Sequence, residues 1–271
     1  MPTIQGGALI GWYERDDAVH ILRSDCDFGA PLTEAEAEAR WRPYRDRVEA
    51  LPPRDSAAPP ELLLDQLEER AARQFMAHHR NSANILRVIK VDPMRLIAKQ
   101  LIVVTERSER YRREVRTASG WLQKALDTTR QAHQIRANCG VMAMDLEVPH
   151  GEFVTAFNPN GTWEVQETAR HVSVTGFQGR MMLWAGYHRS YARVSIMAPD
   201  AIDRSLVVAL TTDGDFFVSQ ASPNQGLRDT LCGLRPPLFA DFFDDDFFMR
   251  IPLKRRRFVL QVRARTVPVD A

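Results

Sequence analysis

Cysteine is scarce in this chain, three in 271 residues, and Cys26, Cys139 and Cys232 stand too far apart to form a zinc-chelating pair or a redox dithiol. That spacing excludes a disulfide-framed secreted module and fits a reducing compartment. No apolar run approaches the roughly 20 residues that span a bilayer, and no basic-then-apolar segment opens the chain as a signal peptide would. A cytoplasmic protein with no membrane partner is expected. Excess charge is missing too. The 36 basic residues face 35 acidic ones, and a net charge of +1 gives no argument for a polyanionic partner. Lysine is nearly absent, at Lys90, Lys99, Lys124 and Lys254 only, so the basic charge is almost all guanidinium, which meets phosphate bidentately. A GC-rich coding sequence accounts for that bias equally well. No nucleophile elbow, Walker loop, dinucleotide fingerprint or His-Glu-x-x-His is found, which weighs against hydrolase, P-loop and Rossmann classes. His20, His133, His150 and His171 show no ligand spacing, and His78-His79 closes a predicted helix, where a cation is favoured by the dipole.

What is present is 44% hydrophobic residues and 26% charged, ordinary for a chain that buries a sizeable core. Gly6–Tyr13 and Ala18–Arg23, separated by Glu14-Arg15-Asp16-Asp17, predict an N-terminal hairpin. Thr33 and Glu36 have the spacing of a capping box, opening a helix that Pro43 interrupts or kinks. The Pro-rich stretch 51–60 reads as a linker or surface loop, and residues 61–79 as a helix. Ile85–Val91 has strand chemistry, while 96–104 fits either type. Apolar or small residues repeat at three and four from Tyr111 through Val115, Ala118, Leu122, Ala125 and Thr129 to Ala132, predicting one long helix over 105–137. Short strand-like segments follow at 142–148, 152–157, 163–166, 171–175, 181–184 and 205–211. The fold class expected is α+β, with a helical N-terminal half and a mixed β-sheet C-terminal half. Residues 1–50 would form a hairpin and helix, 61–140 a mainly helical region and 141–271 a mixed α/β ligand-binding region, all within one domain or more.

The most informative stretch runs from Gly179 to Val194. Met181–Ala185 reads as a short apolar strand, Gly186 as a turn and Tyr187-His188-Arg189 as the start of a helix, where free amides and the dipole favour an anion. This strand–turn–helix resembles the phosphate-binding turn of the ParB/sulfiredoxin superfamily, in which a strand ends in Gly-x-(His/Arg)-Arg. The likeness covers about forty residues, within 151–212, and only the four-residue turn is distinctive. It implies nucleotide binding, with Gly186 giving close backbone approach, Tyr187 in the turn, and His188 and Arg189 on the phosphates. ATP or CTP with Mg²⁺ is the cofactor it implies, and phosphoryl transfer or nucleotide hydrolysis the chemistry if there is turnover. Tyr187 stands where sulfiredoxins carry a reactive cysteine and partition proteins usually carry Glu, so neither chemistry transfers directly. No helix-turn-helix follows the turn. In the alternative reading, His188 and Arg189 cap or salt-bridge within the domain while Tyr187 and Tyr191 pack.

Two further runs carry chemistry. Asp241, Asp244 and Asp245 would share a helix face and offer Mg²⁺ its oxygen ligands, Asp241 and Asp244 first; alternatively they form a solvated helix end anchored by Phe residues. Arg255, Arg256 and Arg257 precede an alternating strand that presents Arg263 and Arg265, a pattern that suits nucleic-acid phosphates or a charge-protected sheet edge. Three functions stay open: binding of a small phosphorylated ligand at Gly186–Arg189, a non-catalytic protein- or nucleic-acid-binding module using the Arg-rich strand, and a structural or assembly protein with no ligand.

Overall fold

The computed structural model describes residues 3–80, 86–115, 117–127, 132–136, 143–148, 153–157, 162–167, 171–177, 179–196, 205–211, 232–254 and 258–263. In chain order these hold β1 (Thr3–Ala8), α1 (Arg15–His20), α2 (Glu34–Ala50), α3 (Gln66–His78), β2 (Leu86–Val91), β3 (Ile97–Ala98), β4 (Ile102–Val103), α4 (Thr105–Glu114) and α5 (Ala118–Ala125). They continue with β5 (Ala132–Arg136), β6 (Ala143–Val148), β7 (Phe153–Phe157), β8 (Thr162–Glu167), β9 (Ser173–Phe177), β10 (Arg180–Ala185), α6 (Tyr187–Ile196), β11 (Leu206–Thr211), β12 (Met249–Lys254) and β13 (Phe258–Arg263). The chain is α+β, with most described helices in its N-terminal half and most strands after them.

It divides into two compact units, one of Met1–Asp127 with Arg170–Lys254, the other of Thr128–Ala169 with Arg255–Ala271. The smaller unit pairs β13 with β6 and stacks β5-β8-β7, all antiparallel. The larger unit holds an antiparallel sheet β12-β1-β4 and a mixed sheet β2-β11-β9-β10-β3. In the mixed sheet, β11–β9 and β10–β3 are parallel while β11–β2 and β10–β9 are antiparallel. Both its faces are covered, which explains the unbroken apolar run of β11. Val208 and Leu210 join Val91, Val174 and Leu183 in the main core, while Val207 and Ala209 face Phe75 of α3 and Leu122 of α5. Truncating a fully buried member such as Leu183 to Ala would cost about 2–5 kcal/mol.

Several sequence expectations are corrected. Residues 18–23 form no hairpin with β1. Ala18, Val19, Ile21 and Leu22 lie on α1 and the π-helical turn after it, packed with Ala37 and Trp41 of α2, so their spacing was helical. The partners of β1 are the distant β12 and β4, and a Cβ on Gly7 would stand inside the Phe248 ring, 1.9 Å from its tip. Helix α2 is capped reciprocally by Thr33 and Glu36 and continues without break through Pro43. Helix α3 starts at Gln66, not 61, because Asp65 and Glu68 form a second capping box and Leu62 is bridged to Lys90 in extended conformation. The single helix over 105–137 is broken. The chain turns extended at Val115, the Thr117 hydroxyl accepts from the Gly120 amide to start α5, and residues 132–136 are strand β5. No described helix is long and apolar enough to cross a membrane.

Candidate functional site

Strand β10 ends in a bulge between Leu183 and Ala185, and Gly186 then turns the chain into α6 with φ of +89°. An added Cβ there would lie 2.8 Å from the Cα of Val172, so the glycine is required both by its left-handed backbone and by the approach of the segment before β9. Tyr187 is 2% exposed. Its hydroxyl donates to the Leu183 carbonyl and accepts from the amides of Lys99 and Gln100, which exhausts its hydrogen-bonding capacity. Burial pushes this phenol well above its ordinary range, against the two amides that favour the ionised form.

His188 Nε2 accepts from the Val104 amide at 3.0 Å, at the N-cap of α4, which assigns the neutral ring's proton to Nδ1. The guanidinium of Arg189 donates to the Lys124 carbonyl at 2.7 Å, in the last turn of α5, and lies 5.5 Å from the Tyr111 ring centre. Three successive side chains therefore tie α6 to three other segments. These are the capping and packing roles of the alternative sequence reading.

The next face of α6 is different. Arg189, Ser190 and Arg193 line a cleft of about 140 Å³ with Lys90 from β2, Trp121 from α5 and Asp65 and Glu68 from α3. Arg189 and Arg193 are one helical turn apart, with Ser190 beside them. The Ser190 hydroxyl, on a residue only 1% exposed, has no hydrogen-bond partner among the described residues. Arg193 is half-buried and makes no hydrogen bond or ion pair among them. The carboxylates are engaged: Asp65 caps α3, while Glu68 reaches back to the Asp65 amide and stands 3.1 Å from the Lys90 ammonium. A guanidinium and a buried hydroxyl, both without a partner among the described residues, make this face suited to an anion.

Other candidates take structural places. Asp241 lies in a 3₁₀ turn, Phe239–Phe243, with a buried carboxylate that accepts from Arg54 at 2.6 Å and from the Leu238 amide at 2.7 Å. Burial raises its pKa, opposed by Arg54. Arg54 is itself within 5.5 Å of the Trp12 and Phe247 ring centres, so this ion pair pins the Pro-rich segment to the core. Asp244 accepts from the Asp246 amide, and no group of three His, Cys, Asp or Glu among the described residues is placed to hold a metal. Arg255, Arg256, Arg257 and Arg265 lie outside the described residues; Arg263 ends β13, paired in register with Ala143. Cys26 and Cys232 form no disulfide, and Cys139 lies outside the described residues.

Sequence spacing missed a histidine pair. His79 and His171 sit 5.7 Å apart between ring centres, both against Phe75. Burial, then His79 and Arg189, depress the pKa of His171 to about 4. Ser190 and Arg193 were missed as well, although their i, i+3 relation to each other, and the i, i+4 relation of Arg193 to Arg189, are visible in the sequence. Comparisons with protein-family models, curated proteins and solved structures return no match.

Proposed function

We propose that this chain binds a nucleotide or other phosphorylated small molecule in the cleft along α6. The observation that carries this reading is Arg193, a half-buried guanidinium with no counter-ion among the described residues, one turn from Arg189 on a cleft whose carboxylates are already engaged. A half-buried guanidinium with no counter-ion favours an anionic ligand, and a phosphate matches its two-pronged donor geometry. The resemblance of Gly186-Tyr187-His188-Arg189 to a ParB/sulfiredoxin phosphate turn is a second support, in a modified form. Gly186, Tyr187, His188 and Arg189 set the position of α6, and the contacts to ligand come from Ser190 and Arg193 beside them.

The reading is of binding. Thermal melting of the full chain with ATP, CTP, GTP and inorganic phosphate, with and without Mg²⁺, tests it against Arg193→Ala. A ligand at 100 times its Kd stabilises the native state by about 2.7 kcal/mol, a readily measured shift. A shift that vanishes in Arg193→Ala is the expected outcome. No shift with any phosphate compound overturns the reading.

A further inference from the structure

We infer that the group held in the α6 cleft is a single phosphate-type oxoanion, inorganic phosphate or the head of a small phosphomonoester, bound by Arg193 and the Ser190 hydroxyl, with no nucleotide base or sugar enclosed. This rests on the reading of the cleft as a phosphate site and narrows it. Size is the first argument. Pockets that enclose drug-sized ligands run to about 300–1,000 Å³, whereas a cavity of roughly 150 Å³ holds a benzene-sized molecule. The α6 cleft, at about 140 Å³, belongs with the second.

Donor chemistry is the second argument. Ser190 lies on the cleft with its hydroxyl buried and without a partner among the described residues, an arrangement that costs free energy until an acceptor arrives. Its place at i, i+3 from Arg193 puts an O–H donor and a guanidinium on one helix face, the combination that a tetrahedral oxoanion accepts from on two sides. A purine or pyrimidine would instead leave the guanidinium uncompensated. The Lys90–Glu68 pair carries no net charge, and Asp65 is turned to the amide of Glu68 at the head of α3, so Arg193 is the cation that stands three residues from Ser190 to meet a ligand. Leu67, half exposed on the rim, is the surface that the body of a phosphomonoester meets outside the cleft.

The test is calorimetric titration of the full chain with inorganic phosphate, glycerol 3-phosphate and ATP at constant ionic strength, for the native protein, Ser190→Ala and Arg193→Ala. Melting of each protein without phosphate is recorded alongside. Phosphate or glycerol phosphate should bind at least as tightly as ATP, the preference between those two distinguishing the free ion from the ester. Each substitution should weaken binding by about ten- to a hundredfold, the worth of one hydrogen bond to a charged group. Ser190→Ala should melt no lower than the native protein without phosphate, because its hydroxyl gives up no partner.

ATP binding that is tenfold tighter than phosphate and lost in Arg193→Ala would overturn the single-oxoanion inference and leave the broader reading standing. So would phosphate binding indifferent to Ser190→Ala, or a lower melting temperature of that variant without ligand. If Arg193→Ala fails to fold, Ser190→Ala with the ATP-to-phosphate ratio decides the same question. Absence of binding by all three compounds would overturn both.

Discussion

The first and second turns of α6 use polar residues in opposite ways. In the first, Tyr187, His188 and Arg189 each meet a main-chain group: the Leu183 carbonyl with the Lys99 and Gln100 amides, the Val104 amide and the Lys124 carbonyl. In the second, Ser190 and Arg193 meet no polar group among the described residues. Matched buried polar groups make a joint, because losing any partner leaves its mate desolvated and unsatisfied. Unmatched ones carry a cost that a ligand with acceptor atoms would lower. A turn whose composition suggests anion binding can therefore be the hinge-pin of a fold, with the binding capacity displaced to the face beside it.

Substitutions that break the joint should be expensive, and those in the second turn cheap until ligand is added. Gly186→Ala is the largest. It forces a left-handed residue to carry a Cβ 2.8 Å from the Val172 Cα, and should lower the unfolding free energy by about 3–5 kcal/mol in urea titration. Acidification should come next. His171 binds protons more readily unfolded, near pH 6.5, than folded, near pH 4, so the protein holds this contribution above pH 6.5 and loses it as pH falls toward 4. The loss across that window is about 3 kcal/mol, measurable by urea titration at pH 7, 5.5 and 4.5, and the slope should flatten in His171→Gln. Because Arg189 adds to the depression, phosphate in the cleft should raise the His171 pKa, which NMR titration with and without phosphate reads directly.

Tyr187→Phe keeps the ring but strands two amides and a carbonyl, and should cost about 2–3 kcal/mol in the same titration. Arg193→Ala should stay within about 0.5 kcal/mol of the native protein when no phosphate is present, as it gives up no bond among the described residues. A larger loss would show that the guanidinium already has a structural partner and would erase the contrast between the two turns.

Local features were legible where local physics controls them. The Thr33–Glu36 box, the strand over 181–184, the Gly186 turn and the helix after it follow from capping, alternation and the tolerance of glycine for positive φ, and the structure carries all four. The helix predicted over 105–137 failed because a 3.6-residue repeat counts apolar positions but not competitors. The chain turns extended at Val115, and the Thr117 side chain, accepting from the Gly120 amide, begins a new helix. Asp241 reads as a metal ligand from its neighbours in sequence and as half of a buried ion pair once Arg54, 187 residues away, is beside it.

From sequence alone came the α+β class, the absence of a long apolar span and the strand–turn–helix at Gly186, since propensity, composition and periodicity act within a few residues of their source. Which of its polar groups are satisfied was decided only by the tertiary structure. That depends on main-chain donors and acceptors at Lys99, Val104 and Lys124, between 65 and 88 residues from the side chains they bond, and a hydrogen bond to the main chain leaves no trace in the identity of the residue that supplies it.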